Sequence, residues 1–96
     1  MDRKQILDEA AKCVCGDRDE QYGSPENSFA VIADLWNTYI NARRYFKGFS
    51  RDCLEASDVA AMMTLFKMAR VATGQNKADN WIDAAGYAAC GGEVTE

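Results

Sequence analysis

Apolar residues recur every three to four positions along most of this chain, and no segment alternates strictly between apolar and polar residues. Ile6, Ala10 and Val14 show the pattern in the first segment. This interval places side chains on one face of an α-helix, whereas a half-buried strand requires an interval of two. No segment is enriched in the β-branched residues that favour strands. The sequence therefore predicts an all-α fold.

Glycine, proline and capping residues divide the chain into predicted helices. Gly16 ends the first helix, and Ser24 followed by Pro25 begins the second, because serine caps unpaired amides and proline suits the first helical position. Asp52, with Glu55 three residues later, resembles a capping box and begins the third. The predicted helices span residues 3–15, 25–43, about 53–73 and about 78–89, with a frayed tail at about 91–96. They should form one domain, residues 1–96, as a compact four-helix bundle.

Apolar stripes on these helices indicate which residues pack. The stripe of the second helix is expected to face the core, and the last helix also carries one apolar stripe. The two stripes consist of Phe29, Ile32, Ala33, Trp36 and Ile40, and of Trp81, Ile82, Ala85 and Ala89.

The length of the chain limits the kind of ligand site it can hold. Ninety-six residues can bury a modest core but leave little room for a wide internal pocket. A sizeable ligand would instead lie in a cleft between helices or at a boundary between subunits. We therefore expect a homo-oligomer.

The overall charge excludes some partners. The chain has 11 basic and 15 acidic residues, a net charge of −4, which argues against binding of bulk nucleic acid or anionic membrane. A basic segment from Arg43 to Arg51, which also holds aromatic residues, is either a solvated connector or a local binding patch. No apolar run reaches the ~18 residues that suggest a membrane span, and no signal peptide is evident, so a cytoplasmic location is expected.

The cysteines do not suggest a metal site. Cys13, Cys15, Cys53 and Cys90 contain no C-x-x-C spacing, and the chain has no histidine, so structural zinc is not expected. We interpret the thiols as reduced, small core residues.

Without histidine, catalysis would depend on carboxylates, lysine or thiolate. Glu55 and Asp58 lie three residues apart, and Asp79 and Asp83 lie four apart, so each pair projects from one helix face. Such pairs supply oxygen ligands to magnesium in helical bundles. The alternative interpretation is that Glu55 and Asp79 serve helix starts, where negative charge is favourable.

Two basic residues near the end of the third helix suggest a different site. Lys67 and Arg70 should lie near Asp79 and Asp83 if the last helix returns antiparallel through its short connection. One interpretation is an ion-pair network between the two helices. The other is a phosphate or ribose site, in which Lys67 and Arg70 bind the anion, an aspartate orients them and Trp81 or Tyr22 offers a stacking surface.

The connection between the first two helices, GDRDEQYGSPENSF, contains residues without a capping role. Arg18, Tyr22 and Gly23 are predicted to contact the same ligand, since Gly23 lets the backbone pass close to another group. The alternative is that this connection simply packs on the last helix.

Several long blocks of the sequence carry a family resemblance. GDR, YGSPENSF, IADLW, DVAAMMTLFKMAR and DNWIDAAGYAA resemble a family of small phage and prophage proteins of unassigned function, over a match from about Ile6 to Cys90. That family is distantly similar to the MazG-like, all-α nucleoside triphosphate pyrophosphatases, which hold magnesium with an E-E-x-x-E and an E-x-x-D element. Glu55 and Asp58 have the E-x-x-D form, whereas no E-E-x-x-E is present.

The resemblance implies three hypotheses. The first is a nucleotide-binding protein that sequesters a nucleotide signal of host antiviral defence without turnover, using Arg18, Tyr22, Gly23, Lys67, Arg70, Trp81 and Asp83. The second is a magnesium-dependent pyrophosphatase in which Glu55, Asp58, Asp79 and Asp83 are catalytic, with Glu55, Asp58 and Asp83 as metal ligands. The third is an inhibitor that binds a host defence protein.

Overall fold

A computed structural model describes residues 1–15, 25–47 and 54–96 of the protein. In these ranges the chain forms α-helices and no strand, which confirms the all-α prediction. The helices are α1 (Arg3–Cys15), α2 (Pro25–Lys47), α3 (Ala56–Ala72) and α4 (Ala78–Thr95). None of them is long and apolar enough to cross a membrane.

Helices α3 and α4 form an antiparallel pair that is the centre of the fold. Lys67 near the end of α3 contacts Asp83 near the start of α4, and Ala60 near the start of α3 faces Gly91 near the end of α4. Small residues lie in this contact, since Ala60 faces Gly91 and Ala84 of α4 is buried. Small side chains let the two backbones approach closely.

A tight connection fixes the antiparallel return of α4. Gly74 has φ of 108°, a left-handed conformation that glycine adopts without strain, just beyond the end of α3. The Asn80 side chain is buried and donates a hydrogen bond from Nδ2 to the Gln75 carbonyl at 2.7 Å. The end of the third helix, predicted at about residue 73, is confirmed to within one residue.

From its middle onward, helix α2 packs on α3, on the side opposite to α4. The Trp36 Nε1 donates to the Met62 carbonyl at 2.7 Å, and Ile32 is buried. Phe29 and Ala33, predicted to face inward, are exposed in the protomer. The helix also continues past the predicted end at residue 43 to Lys47.

The start of α3 differs from the prediction by three residues. Glu55 is the N-cap with an extended backbone (φ −97°, ψ 167°), and its amide donates to Asp58 Oδ2 at 2.9 Å. The capping box therefore consists of Glu55 and Asp58, and the helix begins at Ala56 rather than near Cys53. Asp52, the predicted cap, lies outside the described residues. Asp52 with Glu55 and Glu55 with Asp58 have the same spacing of three residues, so the pattern alone did not show at which residue the helix begins.

Helix α4 continues to Thr95, six residues past the predicted end at about residue 89. The reason lies in the packing of Gly91. A Cβ at this position would lie 3.0 Å from the Ala60 Cβ, so the last turns of α4 lie directly against the first turns of α3. This tertiary contact outweighs the low helix propensity of Gly91 and Gly92.

Much apolar surface remains uncovered in the protomer. Every residue of α1 is exposed, and the predicted stripe of α4 faces away from α3. Cys13, Cys15 and Cys90 are also exposed, so the expectation that they fill the core is wrong, and Cys53 lies outside the described residues.

Candidate functional site

A fully buried carboxylate lies at the start of α3. Asp58 Oδ1 accepts hydrogen bonds from the Tyr39 hydroxyl at 2.5 Å and from Arg43 Nε at 2.8 Å, and Oδ2 accepts the Glu55 amide. Tyr39 and Arg43 lie four residues apart on α2, so one face of that helix supplies both side-chain donors. The network joins α2 to the cap of α3.

The network changes the acidity of its members. Burial alone would raise the pKa of Asp58, but the hydrogen bonds from Tyr39, the Glu55 amide and Arg43 outweigh it and hold the pKa below its usual value. Burial, followed by the hydrogen bond to the Asp58 anion, raises the pKa of Tyr39 to about 12. Asp58 is therefore a charged, fully paired acceptor at neutral pH.

Arg43 was predicted to belong to a basic segment that is either a solvated connector or a binding patch. In the structure it is part of α2 and forms an ion pair with Asp58, so its charge is directed into the protein. The signal was present in the sequence, because Trp36, Tyr39 and Arg43 lie at helical intervals of three and four. Residues 48–51 of the basic segment lie outside the described residues.

A cleft of about 610 Å³ opens between the first half of α3 and the second half of α4, with Tyr39 of α2 on its edge. Its lining is mainly alanine, glycine and the rings of two tyrosines, with several hydroxyl groups. The hydroxyl-bearing residues are Tyr39, Ser57, Thr64, Tyr87 and Thr95. The volume lies within the range of roughly 300–1,000 Å³ that small-molecule sites occupy.

One helical turn beyond this cleft, an ion pair joins α3 to α4. Lys67 Nζ lies 2.9 Å from Asp83 Oδ2; the lysine is buried and the aspartate is half exposed. Lys67 follows the cleft residue Thr64 by three positions, and Asp83 precedes the cleft residue Tyr87 by four. The pair therefore lies on the same helix stripes as the cleft lining.

Arg70 is the second cation in this region. Its guanidinium lies 4.7 Å from the centroid of the Phe66 ring, and Lys67 Nζ lies 5.4 Å from the same ring. The aromatic face thus has two cationic neighbours at the distance of cation–π contacts. Lys67 and Asp83 are brought together, as the ion-pair interpretation expected. The predicted roles of Lys67, Arg70 and Asp83 in ligand binding stay predictions.

Two other predicted residues do not join this cluster. Trp81 donates from Nε1 to Asn76 Oδ1 at 2.7 Å and lies about 200° around α4 from Asp83, at ~100° per residue. Asp79 is exposed in the first turn of α4, where its charge favours the helix dipole. Arg18, Tyr22 and Gly23 lie outside the described residues, so their predicted ligand contacts stay predictions.

The acidic residues do not fit the magnesium site that the resemblance implies. Asp58 already accepts three hydrogen bonds. Asp83 pairs with Lys67, and Lys67 lies nine residues after Asp58 on α3, about 13 Å away along the helix axis. Glu55 lies near Arg43, at 4.0 Å between Oε2 and a guanidinium nitrogen. Within residues 1–15, 25–47 and 54–96, no three acidic or cysteine side chains converge to hold a metal ion.

Comparison with known proteins places the chain among phage proteins. The Gene 55 protein of Mycobacterium phage D29 is 36% identical over 88 residues, which cover 91% of this chain and 51% of that protein. The Gene 55 protein of Mycobacterium phage L5 is 32% identical over 83 residues, 86% of this chain and 47% of that protein. The chain therefore spans about half the length of these curated relatives. No solved structure matches it significantly.

These comparisons confirm the predicted resemblance to phage proteins of unassigned function, whereas the relation to nucleoside triphosphate pyrophosphatases stays a prediction. The family assignment rests on nearly the whole chain, because the match extends over residues 5–95. The protein belongs to the family of the domain of unknown function DUF6378.

Proposed function

We propose that this protein binds a nucleotide-type small molecule between α3 and α4. The observation that carries the proposal is the adjacency of an apolar cleft of about 610 Å³ to the Lys67–Asp83 pair on the same helix stripes. A nucleotide combines a flat, largely apolar base with an anionic phosphate, so its site needs these two environments side by side.

The cleft provides the environment for the base. Tyr39 and Tyr87 supply aromatic surface, and Ala61 and Gly91 leave room because their side chains are small or absent. The hydroxyls of Ser57 and Tyr87 can donate to or accept from the base edge or ribose. Those of Thr64 and Thr95 donate to main-chain carbonyls and remain available as acceptors. Such a lining favours a small planar ligand over a bulky one.

The ion pair provides the environment for the phosphate. A lysine ammonium has three N–H donors, and Lys67 Nζ forms an ion pair with Asp83 Oδ2 at 2.9 Å. Donors not directed at Asp83 can bind phosphate oxygens, while the ion pair fixes the direction of the lysine side chain. Phe66 holds Arg70 nearby, and a guanidinium binds phosphate in a bidentate manner.

We further propose that binding serves sequestration of a nucleotide signal used by host antiviral defence. The relatives are phage proteins, and a protein that removes a signal by mass action needs affinity and abundance rather than turnover. The described carboxylates do not converge as a magnesium-dependent enzyme would require, which fits a role in binding.

Calorimetry tests the proposal with a panel of nucleoside monophosphates, triphosphates and cyclic nucleotides, each beside its phosphate-free nucleoside. Lys67→Met should weaken binding of the phosphate-bearing compounds by roughly 10- to 100-fold, as the loss of a charged hydrogen bond implies. Ala88→Phe, which fills the cleft, should weaken nucleosides and nucleotides alike. Lys47→Met, the same change at an exposed lysine, is the control.

Heat release from none of the compounds would refute the proposal. Equal losses of nucleoside and nucleotide binding in Lys67→Met would refute the assignment of the phosphate end. Chromatography of the compounds after incubation separates sequestration from turnover, because a sequestering protein returns the nucleotide unchanged.

A further inference from the structure

Helix α1 has an apolar face that the other described parts of the chain leave uncovered. Ile6, Leu7, Ala10 and Val14 fall within about 100° of helix circumference, and each of them is exposed; Leu7 is 67% exposed. Apart from Arg3 at the N-terminal end of this face, the charged and amide side chains of α1 lie on its other sides. A helix of 13 residues is marginal in water unless such a face is packed against another element.

Helix α4 has a second uncovered face. Its inner residues, which include Asn80, Ala84 and Gly91, lie against α3 or line the connection and cleft. The outer face of α4, opposite to these, consists of the exposed residues Trp81, Ile82, Ala85, Gly86 and Ala89, with Glu93 at its C-terminal end. An apolar helix face is normally buried, so packing on α3 covers only part of the apolar surface of α4.

The surface area of the chain indicates how much must be covered. The protomer exposes 7165 Å², whereas a compact monomer of 10.6 kDa exposes about 5,500 Å². The excess is about 1,700 Å² per chain, roughly twice what a standard interface buries on each partner but within the roughly 1,000–2,500 Å² per partner of obligate homodimers. A second copy of the chain can therefore cover the excess if the interface is of the obligate kind.

The two uncovered faces fit each other in shape and length. The α1 face presents branched aliphatic side chains, and the outer face of α4 is flat between Ile82 and Ala89 because its residues are alanine and glycine. Helix α1 is about 20 Å long, and residues 81–92 of α4 span about 17 Å. Large side chains can thus pack into the shallow surface that small residues create.

The charges of the two helices are also complementary. Helix α1 has three basic and two acidic residues, whereas α4 has three acidic residues and no basic one. Contact of α1 with α4 is therefore favourable, whereas contact of α4 with another α4 brings acidic residues together. Each chain has one α1 face and one outer α4 face. A two-fold axis therefore places the α1 face of each copy on the α4 face of the other and covers all four faces.

We propose that the protein forms a two-fold homodimer in which the α1 face of each copy packs on the outer face of α4 of the other. This interface leaves the α3–α4 cleft and the Lys67–Asp83 pair on the other side of α4. It is independent of the nucleotide proposal, and either can fail without the other.

Sedimentation equilibrium measures the association directly. The unmodified chain should show twice its mass of 10.6 kDa. Ile82→Glu on α4 and Leu7→Glu on α1 should each raise the dissociation constant at least ~100-fold, because both bury an unpaired charge. Val94→Glu, a change at a residue 55% exposed on a different side of α4, is the matched control and should leave the dimer intact. Far-UV circular dichroism checks that each variant keeps its helices; should Ile82→Glu unfold, Leu7→Glu alone still tests the interface.

Mixing the two disruptive variants tests which faces meet. The Leu7→Glu chain keeps its α4 face and the Ile82→Glu chain keeps its α1 face, so an equimolar mixture should recover heterodimers through one intact contact. Failure of the mixture to recover would overturn the α1-to-α4 assignment. Disruption by only one of the two changes would overturn it as well, since that indicates α1 against α1 or α4 against α4. A chain that stays monomeric at high concentration would overturn the proposal as a whole.

Discussion

The close approach of α3 and α4 at Gly91 gives the most direct test of the fold. Gly91→Ala adds a Cβ 3.0 Å from the Ala60 Cβ, whereas non-bonded carbons prefer about 3.5–4.0 Å. The neighbouring methyl group is fixed to the backbone and has no rotamer by which it can move away. The two helices must therefore separate by a few tenths of an ångström or more, which loosens the small-residue contact along their length.

Gly92→Ala is the matched control, because a Cβ there meets nothing within 4 Å in the protomer. Both changes gain up to about 1 kcal/mol of helix propensity, since both replace glycine near the end of the same helix. Only Gly91→Ala has the overpacking cost, about 1–3 kcal/mol. Its free energy of unfolding should therefore lie about 1–3 kcal/mol below that of Gly92→Ala, or roughly 4–8 °C in Tm for each kcal/mol.

Urea unfolding followed by circular dichroism at 222 nm measures both variants. Gly92 lies toward the exposed side of α4, where a change could also alter contact with a second copy. Each variant is therefore compared at several protein concentrations, and only differences in stability that persist at the lowest concentration are attributed to the fold. Ala60→Gly combined with Gly91→Ala supplies a double-mutant cycle, in which the removed methyl should restore most of the lost packing. Equal stability of Gly91→Ala and Gly92→Ala, or no coupling to Ala60→Gly, would refute the packing argument.

Three further changes probe the polar network and the connection. Asp58→Asn should destabilise the protein by about 2–4 kcal/mol at pH 7, because three donors lose an anionic acceptor. Folding lowers the pKa of Asp58, so the contribution of Asp58 to the free energy of unfolding is present above about pH 4 and is lost as the pH falls through the folded pKa. Chemical denaturation between about pH 2 and 7 should therefore show that the stability of Asp58→Asn falls less steeply with acid than that of the unmodified protein. In Tyr39→Phe, ultraviolet titration should lack the ionisation near pH 12 that Tyr39 contributes. Alkaline stability of this variant should depend less on pH between 10 and 12, since a raised tyrosine pKa contributes stability that is lost as the pH rises through it. Asn80→Ala should cost about 1–2 kcal/mol in urea unfolding, because the Gln75 carbonyl loses its buried donor; an unchanged midpoint would show that this hydrogen bond does not hold the connection.

Helix starts and stops that depend on backbone chemistry were predictable from the sequence. Pro25 begins α2 as expected, and Gly74 follows α3 with the positive φ that only glycine adopts at low cost. The pairing of Lys67 with Asp83 was also foreseen as one of two interpretations, because a short connection forces an antiparallel return. In each case a local rule was sufficient.

Features that depend on tertiary packing were not predictable in the same way. The end of α4 was placed too early because Gly91 has low helix propensity, and only the contact with Ala60 explains why the helix continues. The outer and inner faces of α4 could not be told apart, because its sequence is apolar on both. Asp58 was considered as a metal ligand because an E-x-x-D element has the same spacing as a capping box.

The distinction between those two roles of Asp58 lies on the facing helix. A metal site needs further carboxylates there, because each bound cation must be compensated. The facing positions of α2 instead hold Tyr39 and Arg43, which donate to the aspartate and make it an acceptor within the fold. A cation brought to Asp58 would have to displace Arg43 from an ion pair of 2.8 Å in a buried position, at the cost of breaking the α2–α3 contact. The start of α3 is therefore structural, whereas Asp83, which pairs with the buried Lys67, stays half exposed.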